Sequence, residues 1–325
     1  MPVRSTKSKF AFVALCLAAV VLSACGGGAA APSGATPTTV PSTGRSAPIT
    51  SSPVSAPPNS QRHLWLVEDF TLALLERNGL PASTITRIFD TPRTLLIVRR
   101  HGSIPDSLVP QATKVQSFAS LTTMEAAIQN GTIEPGVKYL LYDNEAWAFT
   151  PVNERQAPIN FAAQAAALAH AHGFKLIFTP AANLAPILSS AYTTSNQLGT
   201  GTDKYSGYLN LDLAGKGAAV SDIFEIQGQQ AEVSPSFPAF VHQATTQARA
   251  AAPANPVLLG ITTAVPGGGG VSAAQLSNVV AETGSVVDGY WLNVPQASAQ
   301  CPACGAAHVA AVVSFLEAYA AGPGG

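Results

Sequence analysis

From residue 64 onward the chain alternates between short apolar runs of strand length and longer stretches of helical period. Residues 94–100, 114–119, 137–143, 175–179, 221–227, 257–263 and 290–294 predict seven strands. Helices are predicted over 122–130, 160–172, 237–252, 272–283 and 306–320, and a further N-terminal helix over 64–77, ended by Asn78, Gly79 and Pro81. Residues 189–207 read as a long loop, and an eighth strand is expected within 85–89 or 208–213. Apolar strands separated by helices call for a parallel sheet covered on its outer side. No G-x-G-x-x-G follows the first strand, and the run Gly267–Gly270 has no phosphate-loop spacing, which favours a closed α/β barrel of the (β/α)8 TIM type over an open sheet. Residues 61–325 are close to the about 250 that such a barrel needs.

The first sixty residues follow a different pattern. Arg4, Lys7 and Lys9 precede an uncharged apolar run from Phe10 to Leu22, shorter than the roughly 20 residues that span a bilayer. The run ends in Leu22-Ser23-Ala24-Cys25 followed by three glycines, which resembles the lipobox of bacterial lipoproteins. The resemblance implies that residues 1–24 are a signal peptide and that Cys25 is lipidated and becomes the mature N-terminus. Lipid chains would then hold the protein at the extracytoplasmic face of the cell membrane. The competing reading is an ordinary cleaved signal with an incidental cysteine. Residues 25–60 are rich in Ala, Pro, Ser, Thr and Gly with Arg45 as their only charge, a composition expected to stay disordered as a linker. Cys301 and Cys304 remain in the exported part, where an oxidising compartment favours a local disulfide between them; zinc and a redox C-x-x-C are the alternatives.

A formal net charge of −1, with no basic cluster beyond Arg99 and Arg100, argues against nucleic acid as a partner. His170 and His172 lie two apart on different helix faces, and neither a metal site nor a cofactor is expected. A monomer is expected.

In a barrel the chemistry sits at the C-terminal ends of the strands. Those ends carry Arg99, Arg100 and His101; Ser117 and Ser120; Asp143 and Glu145; Thr179 and Asn183; Glu225, Gln227 and Gln229; Thr262 and Thr263; and Trp291 and Asn293. Only 11% of the residues are charged, so two carboxylates at the end of one apolar strand stand out. Side chains alternate along a strand, so Asp143 and Glu145 share one side, as do Glu225, Gln227 and Gln229, with Phe224 and Ile226 on the other. Either these acids and amides form a functional site, or they cap turns and satisfy one another inside the barrel. Amides, carboxylates and a tryptophan around one rim suit a sugar, because amides fix hydroxyls, indole faces stack on pyranose rings, and a carboxylic acid can protonate a glycosidic oxygen.

The D-x-E of Asp143 and Glu145, the later strand ending in Gln227, and Trp291 on the last strand resemble the family 18 glycoside hydrolases, the chitinase-like barrels. That family's motif is D-x-x-D-x-D-x-E; its two earlier Asp positions fall here at Lys138 and Leu141. The resemblance implies that Glu145 is the general acid and that Asp143 orients an N-acetyl group acting as internal nucleophile. It places Gln227 at a substrate-binding position and makes Trp291 a platform under the scissile sugar. Substrate contacts are expected from Glu225, Gln229, Asn293, Arg99 and Asn183 as well. Three functions stay open: a glycosidase, a carbohydrate-binding lipoprotein without catalysis, and a structural envelope protein.

Overall fold

The structure, a computed structural model, describes residues 63–98, 108–264, 270–295 and 306–322. The expected signal peptide, Cys25, the linker, Arg99, Arg100, His101, Cys301 and Cys304 lie outside the described residues. Among the described residues no helix is long and apolar enough to cross a membrane.

Elements follow in the order β1 (Leu64–Glu68), α1 (Asp69–Arg77), α2 (Ala82–Phe89), β2 (Thr94–Ile97), β3 (Thr113–Phe118), α3 (Leu121–Gln129) and β4 (Tyr139–Asn144). Next come α4 (Val152–Gln156), α5 (Pro158–Ala171), β5 (Lys175–Pro180), a 3-10 turn (Ala182–Leu184), α6 (Ala185–Leu188), α7 (Lys204–Asn210) and α8 (Leu213–Ala218). The chain continues through β6 (Ile223–Ile226), α9 (Phe237–Ala251), β7 (Val257–Thr262), α10 (Ala273–Thr283), β8 (Gly289–Asn293) and α11 (Ala306–Ala321). The strands pair in parallel in sequence order and β8 pairs with β1, so the sheet closes into a (β/α)8 barrel.

The period of two along each strand sorts the apolar residues into two cores. Leu66, Leu95, Ile97, Val115, Leu141, Ile177, Ile223, Leu258 and Trp291 point inward and fill the barrel. Their neighbours, among them Trp65, Leu96, Tyr142, Phe178, Phe224 and Tyr290, point outward against the helices. Most strands are therefore apolar on both faces, which is why they read as continuous apolar runs; β3 (TKVQSF) is the mixed exception.

The missing eighth strand is the first one. Residues 64–77, expected as one helix, split into β1 and α1, because Leu64–Glu68 is buried on both faces between β2 and β8. Residues 85–89 belong to α2, where Ile85, Ile88 and Phe89 recur at helical spacing. Tyr208 and Leu209 belong to α7, which Asp203 caps by accepting from the Tyr205 and Ser206 amides. Sequence signals elsewhere act as expected. Gly173, with φ of 79°, ends α5 by donating to the His170 carbonyl while Phe174 donates to Ala169, a Schellman closure that needs a left-handed residue.

Closure depends on Gly289, which lies opposite Leu64 in the β8–β1 register; a Cβ there would strike the Leu64 carbonyl oxygen. Gly289→Ala is expected to lower stability by about 1–3 kcal/mol. Urea unfolding checks this, and an unchanged midpoint would contradict so close an approach of the two strands.

Candidate active site

The end of β4 is anchored from both sides. On its outward face Tyr142 donates a 2.6 Å hydrogen bond to Glu154 Oε2, and Asn144 Nδ2 donates to the Tyr142 hydroxyl (2.8 Å) and the Glu154 carbonyl (3.2 Å). Glu154 Oε2 also accepts from the Leu121 amide at the start of α3, at 2.9 Å. Beyond the strand, the Ala146 amide donates to Asn183 Oδ1 (2.9 Å). Trp147 Nε1 donates to Thr150 Oγ1 (2.7 Å), and Thr150 Oγ1 donates to the Ala119 carbonyl (2.9 Å). The stretch from Thr150 to Glu154 is thus the brace of the strand end. With Tyr142 and Asn144 held outward, alternation turns Asp143 and Glu145 inward to the mouth of the barrel.

Asp143 is buried, and both of its donors converge on Oδ1: Gln227 Nε2 at 2.9 Å and Thr179 Oγ1 at 3.1 Å. Gln227 Nε2 also donates to the Thr179 carbonyl at 3.2 Å, tying β4, β5 and the end of β6 together. Two donors favour a carboxylate, yet burial, the neighbouring Glu145 and, more weakly, Glu68 push the Asp143 carboxyl well above its usual range. Glu145, half-buried at the mouth, is also raised by burial, against the opposing pull of the Gln227 amide, the Lys204 ammonium and the Asn183 amide. Two carboxyls coupled in this way titrate as a pair and share their protons.

Glu225 lies deeper. It is fully buried inside the barrel and neither carboxyl oxygen has a hydrogen-bond partner. The neighbouring Gly260 leaves room for it: a Cβ at that position would strike Glu225 Oε1. The Gly260 backbone is near enough to ease the charge slightly without forming a hydrogen bond, but burial, then Asp143 and Glu145, hold the carboxyl well above its ordinary value. Glu225 is therefore the neutral acid of the interior. It cannot reach a sugar directly.

Of the expected site residues, Asp143, Glu145, Asn183, Glu225, Gln227 and Gln229 converge on one end of the barrel. Asn293 sits half-buried at the end of β8, opposite Thr262. Trp291 differs from expectation: at 8% exposure it packs among Leu66, Leu141 and Leu258 as interior filling, so it offers a sugar at most a floor and no open stacking face. The accessible aromatics are Trp147 and Phe149, edge to face with centroids 5.3 Å apart just beyond Glu145, and Phe149 is 46% exposed. Three ionisable groups at this end escaped the sequence reading. Glu68 ends β1 and carries the same acid-after-apolar-run signature as Asp143, hidden when the segment is read as helix. Lys204 opens α7 and Glu232 lies in the loop after β6; only the folded topology brings Lys204 near both Glu145 and Glu232. Among the described residues no group of three or more His, Cys, Asp or Glu is arranged to hold a metal ion.

These protonated carboxyls link stability to pH. A raised folded-state value means that the native barrel holds protons which the unfolded chain releases near pH 4.5; the stabilisation is complete below that pH and fades as pH rises through the folded value. For Glu232, pushed up to about 8 by burial, the window is about pH 4.5 to 8, and Glu225, raised well above its ordinary value by burial, acts in the same sense. Asp203, held below its ordinary value by its hydrogen bonds, works in the opposite sense only in strong acid. Stability is expected to fall between pH 5 and pH 8, by up to about 1.4 kcal/mol per pH unit for each carboxyl involved, and the melting temperature with it. Glu225→Gln is expected to flatten that slope. A melting temperature that rises over this interval would contradict neutral interior acids.

No protein-family model matches the chain, and no curated protein matches it significantly. Among solved structures, similar barrels include active domain 2 of a chitinase from Pyrococcus furiosus, at 12% identity and TM-score 0.43, covering 79% of this chain and 96% of that one. A putative alpha-L-fucosidase from Bacteroides thetaiotaomicron matches at 11% identity and TM-score 0.43, covering 82% and 99%. The carboxyl transferase domain of Rhizobium etli pyruvate carboxylase matches at 13% identity and TM-score 0.41, covering 81% of this chain. The chain spans about half the length of that domain, 49%. Likeness of this degree is shared across barrels of unrelated chemistry and assigns none to this chain.

Proposed function

We propose that the barrel is a glycoside-hydrolase-like enzyme acting on a poly- or oligosaccharide, with Glu145 as general acid and Asp143 as its partner. What supports this reading is the placement of two carboxyls at the mouth, Asp143 and Glu145, both raised by burial, with the Gln227 amide on Asp143 and the Asn183 side chain accepting from the loop that follows. Breaking a glycosidic bond requires an acid that is still protonated at working pH, and burial with a like-charged neighbour provides one. Glu225, which might have served as an opposing nucleophile, is sealed inside the barrel. That favours the substrate-assisted route, in which Asp143 orients a group on the sugar itself. The Trp147 and Phe149 rings would line the approach to Glu145 with the flat apolar surface that sugar faces prefer.

The rest of the chain fits an exported enzyme. In this proposal residues 1–24 direct export, Cys25 carries lipid, residues 25–60 tether residues 61–325 to the extracytoplasmic face of the cell membrane, and Cys301 and Cys304 form a local disulfide. Mass spectrometry of the protein from its host membrane tests the lipid on Cys25, and an unmodified chain would remove the anchor.

The reaction is tested with the full chain on a panel of labelled glycans. Glu145→Gln is expected to lower kcat by about 10²–10⁴-fold while leaving glycan affinity in place. In the wild type, activity is expected to fall as pH rises and the acid loses its proton. Turnover unchanged in the variant would sink Glu145 as the acid; binding without any turnover in the wild type would make the protein a carbohydrate-binding one.

A further inference from the structure

Beside the carboxyl pair lies a cation that the chemistry above does not use. Lys204, the first residue of α7, is only 9% exposed, with its ammonium 4.9 Å from the centroid of the Tyr205 ring. Among the described residues no acceptor hydrogen-bonds that ammonium and no carboxylate lies within ion-pair distance, although both Glu145 and Glu232 are near enough to act on it. Glu232, 7% exposed, is held by one oxygen only: Oε1 accepts from the Thr262 amide at 2.7 Å, and Oε2 is buried with no partner. Gln229 Nε2 is a further buried donor without an acceptor, and the Tyr205 hydroxyl fixes its backbone by donating to the Gln229 carbonyl at 2.9 Å. A buried ammonium and, near it, a carboxyl with one oxygen unpartnered are costly unless something completes them.

We propose that Lys204 and Glu232 form an anion-binding subsite beside Glu145, so that the sugar brought to the acid carries a negatively charged substituent, a uronate carboxylate or a sulfate ester. Charge supports the direction. Burial lowers Lys204 to about 8 while the two glutamates resist the loss of its proton, and burial lifts Glu232 to about 8. Below neutral pH the subsite therefore presents an ammonium and a neutral carboxyl that can donate its proton to an anion's oxygen, with net positive charge.

The inference rests on the proposed glycosidase reading, and one experiment separates the two. Dissociation constants are measured by calorimetry at pH 6 on the full chain for three probes of matched length. These are a chito-oligosaccharide, N-acetylated and neutral; a hyaluronan oligosaccharide, N-acetylated with uronates; and a chondroitin oligosaccharide with and without its sulfates. Wild type is expected to favour at least one anionic probe by about tenfold or more, and the sulfated and desulfated arms tell carboxylate from sulfate recognition. Lys204→Met is expected to reduce that affinity to the level of the neutral probe, whereas Lys204→Arg keeps the preference. Equal or tighter binding of the neutral probe, or a preference that survives Lys204→Met, overturns the subsite and leaves the glycosidase reading intact. Failure to bind any of the three overturns both.

Discussion

The 2.6 Å hydrogen bond from Tyr142 to Glu154 is small in energy, and the arrangement of the mouth depends on it. Asn144 donates to the same hydroxyl, and the Leu121 amide donates to the same carboxyl, so one outward cluster ties β4 to α3 and α4. A strand has two faces. Once Tyr142 and Asn144 are committed outward, Asp143 and Glu145 have one place to go. The site is held by its reverse side, and the carboxyls at the front are free to be chosen for chemistry.

That freedom has a cost inside the barrel. The interior is lined by Leu66, Leu141, Ile177, Ile223 and Leu258, a low-dielectric floor on which Glu225 and Asp143 stand. Such a floor penalises charge more than it penalises a protonated carboxyl, so burial heads the causes of every raised acid here. The same burial that makes Glu225 a burden on stability also raises Asp143 and Glu145 above the ordinary carboxylate range. Stability and the protonation of the mouth therefore draw on one property of the site, its burial, and respond to pH in linked ways.

How much of this was legible in the sequence varies by residue. Strands β2 and β4 to β8 announced themselves by apolar runs bracketed by turn residues, and the more polar β3 by its place in the alternation with helices. Strand β1 did not: Leu64–Glu68 runs directly into Asp69–Arg77 with no glycine or proline between, so a single apolar stretch held two elements. Asp143, Glu145, Glu225 and Gln227 were recoverable from alternation alone, which is a local rule. Lys204 and Glu232 were not, since one opens α7 and the other lies in the loop after β6, and the nearness of Lys204 to Glu232 and to Glu145 is a consequence of closing the barrel. For Trp291 the strand was legible but the depth was not, because position on a strand end does not report burial. Its ring, facing Leu66 and Gly260 across the register, is needed to fill the interior.

The account turns on Asp143 and Glu145 sharing protons at the mouth. Carbon-13 NMR of the side-chain carboxyls, followed through a pH titration of the full chain, reads this directly. The structure predicts that both resonances titrate above the ordinary carboxylate range, in linked steps, and that Asp143→Asn returns Glu145 toward a single, lower transition. Two independent transitions at ordinary carboxylate values would contradict it.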